Sequence, residues 1–182
     1  MQTPKVAQLL LGALLIHDTP QGTTAGRIVE TEAYLFKNDP ACHAHRGQTK
    51  RNAVMFGPAG RAYVYLCYGM YELFNVVTNR EGVGEAVLIR ALEPLVGIEI
   101  MQKRRRQKSL RQLCSGPGKL VQAMGIRRQQ SGQELSSGNL RIELPRPARR
   151  QKITRTKRIG ITQGAELNLR YYLSGSEFVS AV

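Results

Sequence analysis

The sequence predicts a single α+β domain: a curved, mostly antiparallel β-sheet with a few flanking helices. Three observations lead there. Strand-like segments follow one another with only tight turns between them, as at Thr19-Pro20-Gln21-Gly22 and Tyr68-Gly69-Met70-Tyr71. Helical segments are short, and the clearest ones open on a proline. A length of 182 residues, 42% hydrophobic and 22% charged, suits one globular core and leaves little room for two.

Taken in order, Thr3 as cap and Pro4 at the first position open a helix that Gly12 ends after Leu11. The apolar run VAQLLLGALLI after Lys5 also has the form of a short signal-peptide core, with Thr23-Thr24-Ala25 as a cleavage site. Three widely spaced cysteines, Cys42, Cys67 and Cys114, argue against a disulfide framework. They favour a reducing compartment, and with it the core helix. Strands follow over 13–17 and 24–35, then a loop-rich stretch over 36–60 of a length that tends to carry function. Next come a hairpin over 61–78, a strand over 84–92, a helix from Pro94 to about Gln107 and a second helix from Pro117. Short strands near 140–144, 153–161 and 167–173 complete the chain. No run of 18 apolar residues is present, so no membrane span is expected.

The charge is lopsided. Twenty-seven Lys and Arg against thirteen Asp and Glu give +14, which points to a polyanionic partner, nucleic acid first and anionic membrane second. Two acid-free stretches concentrate the surplus. One holds Lys103, Arg104, Arg105, Arg106, Lys108 and Arg111; the other holds Arg146, Arg149, Arg150, Lys152, Arg155, Lys157 and Arg158. Such runs are often plain solvated faces, but together they form a phosphate-binding field. Between them, Ser115-Gly116-Pro117-Gly118-Lys119 begins a helix whose free N–H groups can meet a phosphate, making Lys119 a backbone-contact candidate beside Arg104 and Arg105. The G-x-x-x-x-G-K-[ST] pattern is absent, so no ATP or dinucleotide site is expected. His17, His43, His45 and the cysteines lack zinc-ligand spacing, and no metal is expected.

Two patterns carry chemistry. In RIVETEAYL, period two puts Ile28, Glu30, Glu32 and Tyr34 on one strand face and Val29, Thr31, Ala33 and Leu35 on the other. Two carboxylates on one face are either a solvated edge or a site, and their scarcity in so basic a chain favours the site. Tyr63, Tyr65, Tyr68, Tyr71 and Phe74 crowd twelve positions. Tyr63 fits cross-strand packing. Gly69 suits a turn that lifts Tyr68 and Met70 to a hairpin tip, where an aromatic and a methionine can wedge between base pairs.

The succession RIVETEAY, a loop with H-x-H-R and MFGPAG, YVYLCYGMYELFNV, LIRALEP, LCSGPGKL and RIGI resembles the alkyladenine (3-methyladenine) DNA glycosylase family from about Val6 to Ala181. The resemblance implies a mixed α/β domain with a protruding hairpin, no cofactor, and removal of alkylated or deaminated purines flipped from duplex DNA. Carried over by position, Glu32 would activate water, held also by Arg90 and the backbone carbonyl of Ile159. Tyr34 and His43 would sandwich the flipped base, Tyr65 would pack its edge, Asn75 would screen the purine 2-position and Leu88 would wall the pocket. Tyr68 would fill the vacated stack, flanked by Met70. The family's frequent A-G-E-W pattern after RIGI is replaced by TQGAEL, and little of the upstream segment of many members is present. The absence of a pocket lysine motif argues against Schiff-base chemistry, leaving a monofunctional hydrolase acting as a monomer on DNA inside the cell, in a nucleus or nucleoid. The basic C-terminal domain of methionyl-tRNA formyltransferases shares the general architecture, so a non-catalytic nucleic-acid-binding module is the alternative. A peripheral membrane protein ranks last, because residues 94–113 are charged but carry few apolar anchors.

Overall fold

A computed structural model describes residues 1–144 and 151–180 of the chain. Its organising element is one long strand, β2 (Gly22–Tyr34), made of β-branched and small residues buried on both faces from Ile28 to Ala33. The turn at Pro20-Gln21 joins it to β1 (Leu14–Thr19). β5 (Ala86–Val96) pairs along one edge of β2. The opposite edge is divided between β1 and β8 (Arg170–Leu173). The hairpin β3 (Ala62–Cys67) and β4 (Tyr71–Val77) extends the sheet beyond β5. β6 (Leu140–Glu143) pairs with β1, and β7 (Ile153–Thr156) pairs with β8. Every pairing among the described residues is antiparallel and the sheet curls, as the sequence predicts.

Four short helices, α1 (Thr3–Leu9), α2 (Ile98–Arg105), α3 (Leu110–Leu113) and α4 (Pro117–Met124), pack against the sheet. Ala7, Met101, Leu113, Leu120 and Met124 meet Ile28, Phe74, Ile89 and Leu92 in the main core. The 36–60 stretch builds a smaller core of its own, with Cys42, Ala44 and Met55 against Tyr63, Val77 and Ala86. That packing fixes a loop of polar composition against the hairpin.

Several boundaries differ from expectation, each for a local reason. Pro94 does not open a helix; it extends β5 opposite Gly26, beside a register shift where the ladder is already irregular. A Cβ at Gly26 would stand 3.0 Å from the Glu93 carbonyl, so glycine lets the strands close there. The helix starts after Gly97 instead, at φ 71°, where a Cβ would meet the Thr23 carbonyl at 2.3 Å. Thr3 is not the cap of α1: Gln2 is, and the Thr3 hydroxyl is bonded to Thr78 and Glu85. The strand expected over 153–161 stops at Thr156, and residues 157–161 turn toward the site described next.

Candidate active site

β2, β5, the β3–β4 hairpin and the start of α4 surround a cavity of about 710 Å³. Tyr34, His43, Tyr65, Asn75, Leu88, Arg90 and Ile159 all line it, together with Tyr68, Lys119 and Arg105. Sequence positions up to 125 apart, from Tyr34 to Ile159, thus meet in one place.

Glu32 stands behind this wall, its side chain fully buried. Burial of an ionised carboxylate is tolerable only with donors around it. The Tyr34 hydroxyl donates to Oε2 at 2.8 Å and the Ile159 N–H to Oε1 at 2.8 Å, with the Arg90 guanidinium 3.2 Å from Oε1. Two of roughly four lone-pair sites are therefore taken by hydrogen bonds, and the Arg90 cation balances the charge. Burial, and then the adjacent Glu32, push the Tyr34 phenol well above its usual range, so it stays a neutral donor.

Arg90 owes its aim to a pair of compensating register shifts. Ile28 pairs with Leu92, Glu30 with Ala91 and Thr31 with Ile89, so Val29 on β2 and then Arg90 on β5 stand without a partner across this ladder. Such irregularities re-aim side chains. Arg90 bridges both acids of ETE, with Nε 3.2 Å from Glu30 and Nη1 3.2 Å from Glu32, and Nη1 also reaches the Ile159 carbonyl at 3.4 Å. The two carboxylates therefore share a side of the strand, and neither is solvated.

The aromatic walls are ordered by one another. His43 meets Tyr65 edge-on at 4.5 Å between ring centres, and its Nδ1 lies 3.1 Å from the Tyr63 hydroxyl. Burial and then the nearby Arg51 cation lower the His43 pKa, which keeps the ring neutral at pH 7. The Asn75 amide donates to the Tyr63 carbonyl at 3.1 Å, fixing which way its oxygen faces. At the tip, Tyr68 (φ 49°) and Gly69 (φ 70°) are both left-handed, and the Met70 N–H bonds the Cys67 carbonyl, giving a type I′ turn. Tyr68 is 83% and Met70 70% exposed.

Other expectations fall apart from the cavity. Arg104 bonds the Ala123 carbonyl, Thr19 and Gln21 rather than lining it. Arg105 lines the cavity while bonding Leu113 and Gln122. Arg158, counted above among the surface cations, is fully buried in an ion pair with Asp39. Arg146, Arg149 and Arg150 lie outside the described residues. A lysine does line the cavity: Lys119. Among the described residues no group of His, Cys, Asp and Glu could hold a metal.

Sequence reasoning missed Asp39, Arg158, Arg170 and Ser180 as parts of this site, and placed Glu30 beside Glu32 without giving it a role. Glu30 accepts from Arg170 (2.6 Å), the Ser180 N–H (2.7 Å) and the Ser180 hydroxyl (2.9 Å), and so ties three segments to Arg90. Scarcity of acids was the one available signal: both aspartates and both acids of ETE pair with arginine.

An aromatic-lined cavity backed by a buried, hydrogen-bonded carboxylate, in a strongly cationic chain, has the form of an enzyme site. The sequence matches the methylpurine-DNA glycosylase family over residues 1–177. Similar proteins, each named "Putative 3-methyladenine DNA glycosylase", occur in Methanoculleus marisnigri (55% identical over 181 residues, 98% of this chain and 93% of that protein) and in Carboxydothermus hydrogenoformans (51% over 176 residues, 96% and 92%). Another, in Chlorobaculum tepidum, is 45% identical over 181 residues, covering 99% of this chain and 87% of that protein. This chain belongs to the methylpurine-DNA glycosylase family, DNA-repair hydrolases acting on purines.

Proposed function

We propose that the chain, as a monomer, extrudes an alkylated or deaminated purine from duplex DNA and hydrolyses its N-glycosidic bond with a water activated by Glu32. The observation that carries this reading is the Glu32 carboxylate, buried and held by Tyr34, Arg90 and Ile159, all three of which line the cavity. With two hydrogen bonds and an ion pair made, Glu32 keeps an acceptor site for a water. That site lies behind the cavity wall, so side-chain movement on binding DNA is part of the reading. As the purine departs with the bonding pair, the sugar gains oxocarbenium character that a carboxylate stabilises. The water oxygen bonds C1′ and its proton passes to Glu32. Alkylated purines such as 3-methyladenine and 7-methylguanine leave as neutral bases from a cationic nucleoside; hypoxanthine and ethenoadenine need a proton from another donor.

Tyr34, His43 and Tyr65 offer aromatic surface to either kind of base, while Asn75 and Leu88 bound the pocket. The exposed Tyr68 and Met70 suit the role of wedge, and Lys119 with Arg105 suits a phosphate beside the opening. No cofactor enters this chemistry. Incubation with duplexes each carrying one 7-methylguanine, hypoxanthine or ethenoadenine, followed by alkali, tests the reading. Strand cleavage at a lesion only after alkali is expected, with no covalent adduct on borohydride treatment. Intact strands throughout would refute the enzyme, and a borohydride-trapped adduct lost in Lys119→Ala would replace hydrolysis by a lyase.

A further inference from the structure

Against the Tyr34 ring, and not among the residues lining the cavity, lies a second charged assembly that the hydrolytic steps leave unused. Arg158 and Asp39 have no exposed side-chain surface and form a two-pronged ion pair, Nη1 to Oδ2 at 2.7 Å and Nη2 to Oδ1 at 2.6 Å. The Arg158 guanidinium carbon stands 4.6 Å from the centre of the Tyr34 ring. Its Nη1 also bonds the Ala33 carbonyl and its Nη2 the Gly164 carbonyl at 3.3 Å, while its Nε makes no hydrogen bond and the cation lies over the aromatic ring. Asp39 in turn accepts the Leu35 and Ala41 N–H groups, which shapes the segment carrying His43. Ile159 follows Arg158 directly and donates to Glu32. One buried pair thus sets the Tyr34 ring, the His43 segment and a donor to Glu32.

We propose that the Asp39–Arg158 pair is a positioning and specificity-determining device: it fixes Tyr34 and tempers how strongly that ring attracts a cationic purine. The inference rests on the reading that the cavity receives the damaged base. A tyrosine face attracts cations through its negative quadrupole. A guanidinium against the ring draws on the same quadrupole and adds a positive charge within stacking distance of the site, while Asp39 behind it offsets part of that charge. The net effect is to disfavour cationic 7-methylguanine relative to neutral hypoxanthine, widening the range of bases accepted at similar rates. The buried pair is a costly arrangement if its only task were packing, since apolar residues fill such positions without desolvating two charges.

Single-turnover excision of 7-methylguanine and of hypoxanthine, taken as a ratio, separates charge from mere support. Removing both charges, in Arg158→Met with Asp39→Asn, is expected to raise the ratio of cationic to neutral base excision about three- to tenfold, whatever the fall in either rate. Asp39→Asn alone leaves the guanidinium without its counter-charge, and is expected to lower the same ratio. Rates are referred to the folded fraction measured by near-UV circular dichroism, and either variant that folds decides the matter by its sign. A ratio within twofold of the unsubstituted protein, or a shift of the same sign in both variants, would overturn the proposal while leaving the glycosylase reading intact. If the unsubstituted protein releases neither base, the glycosylase reading fails and this proposal with it.

Discussion

Glu30 and Glu32 sit two residues apart on β2 and have different partners, so the same side chain does two jobs. Glu30 is enclosed by Arg90, Arg170 and both donors of Ser180. Replacing it with Gln leaves two buried guanidinium groups short of a counter-charge, and is expected to lower unfolding free energy by about 3–5 kcal/mol in chemical denaturation. His17 makes a pH-dependent contribution. Its ring is buried, with Nδ1 2.9 Å from the Met124 carbonyl, and burial lowers its pKa despite that bond. Between the lowered folded value and the ordinary value near 6.5 the unfolded chain binds more protons, so stability rises with pH across that window. It is lost as pH falls through the folded value. The denaturation midpoint is expected to drop on acidification below pH 6.5, and to drop less in His17→Gln; parallel curves would remove His17 from this role. At this scale the sequence was partly legible. ETEAY could be placed by period two, but the partners of Glu30 lie at positions 90, 170 and 180, and no local pattern announces contacts that distant.

At the scale of elements, the hairpin is where sequence and structure agree most closely. YVYLC and YELFNVV alternate, Gly69 marks the turn, and the tip falls where expected because turn chemistry is local. β5 was less legible, since Pro94 carries a helix-opening signal that the register shift at Gly26 overrides. The compensating shifts that aim Arg90 could not be foreseen, because they depend on how two strands meet. The hairpin tip also stores strain. Tyr68 holds a left-handed conformation that costs a non-glycine residue about 1 kcal/mol or more. Tyr68→Gly is therefore expected to leave thermal stability unchanged or slightly higher, while weakening binding to a lesion-containing duplex relative to an undamaged one. Equal loss of stability and of discrimination would mean that Tyr68 supports the hairpin rather than probing DNA.

For the whole molecule, the +14 charge suits a DNA substrate, and the proposed function adds the demand that this polyanion be held while one of its bases enters the cavity. The charge is not spread as the sequence suggested. Arg90, Arg158 and Arg170 are buried in pairs, and Arg104 is committed to neighbouring protein groups, so part of the arginine surplus builds the site from within. The cations that remain outside, with Lys119 and Arg105 at the cavity, are those the proposed function assigns to DNA. In the proposed mechanism the chemistry converges on a single acid, Glu32. The most direct test compares the unsubstituted protein with Glu32→Gln on a duplex bearing one hypoxanthine, under single-turnover conditions, with binding to that duplex measured alongside. Release slowed by more than about a hundredfold with affinity retained is the predicted result. Release at a comparable rate in the variant would contradict the account, because water would then be activated elsewhere.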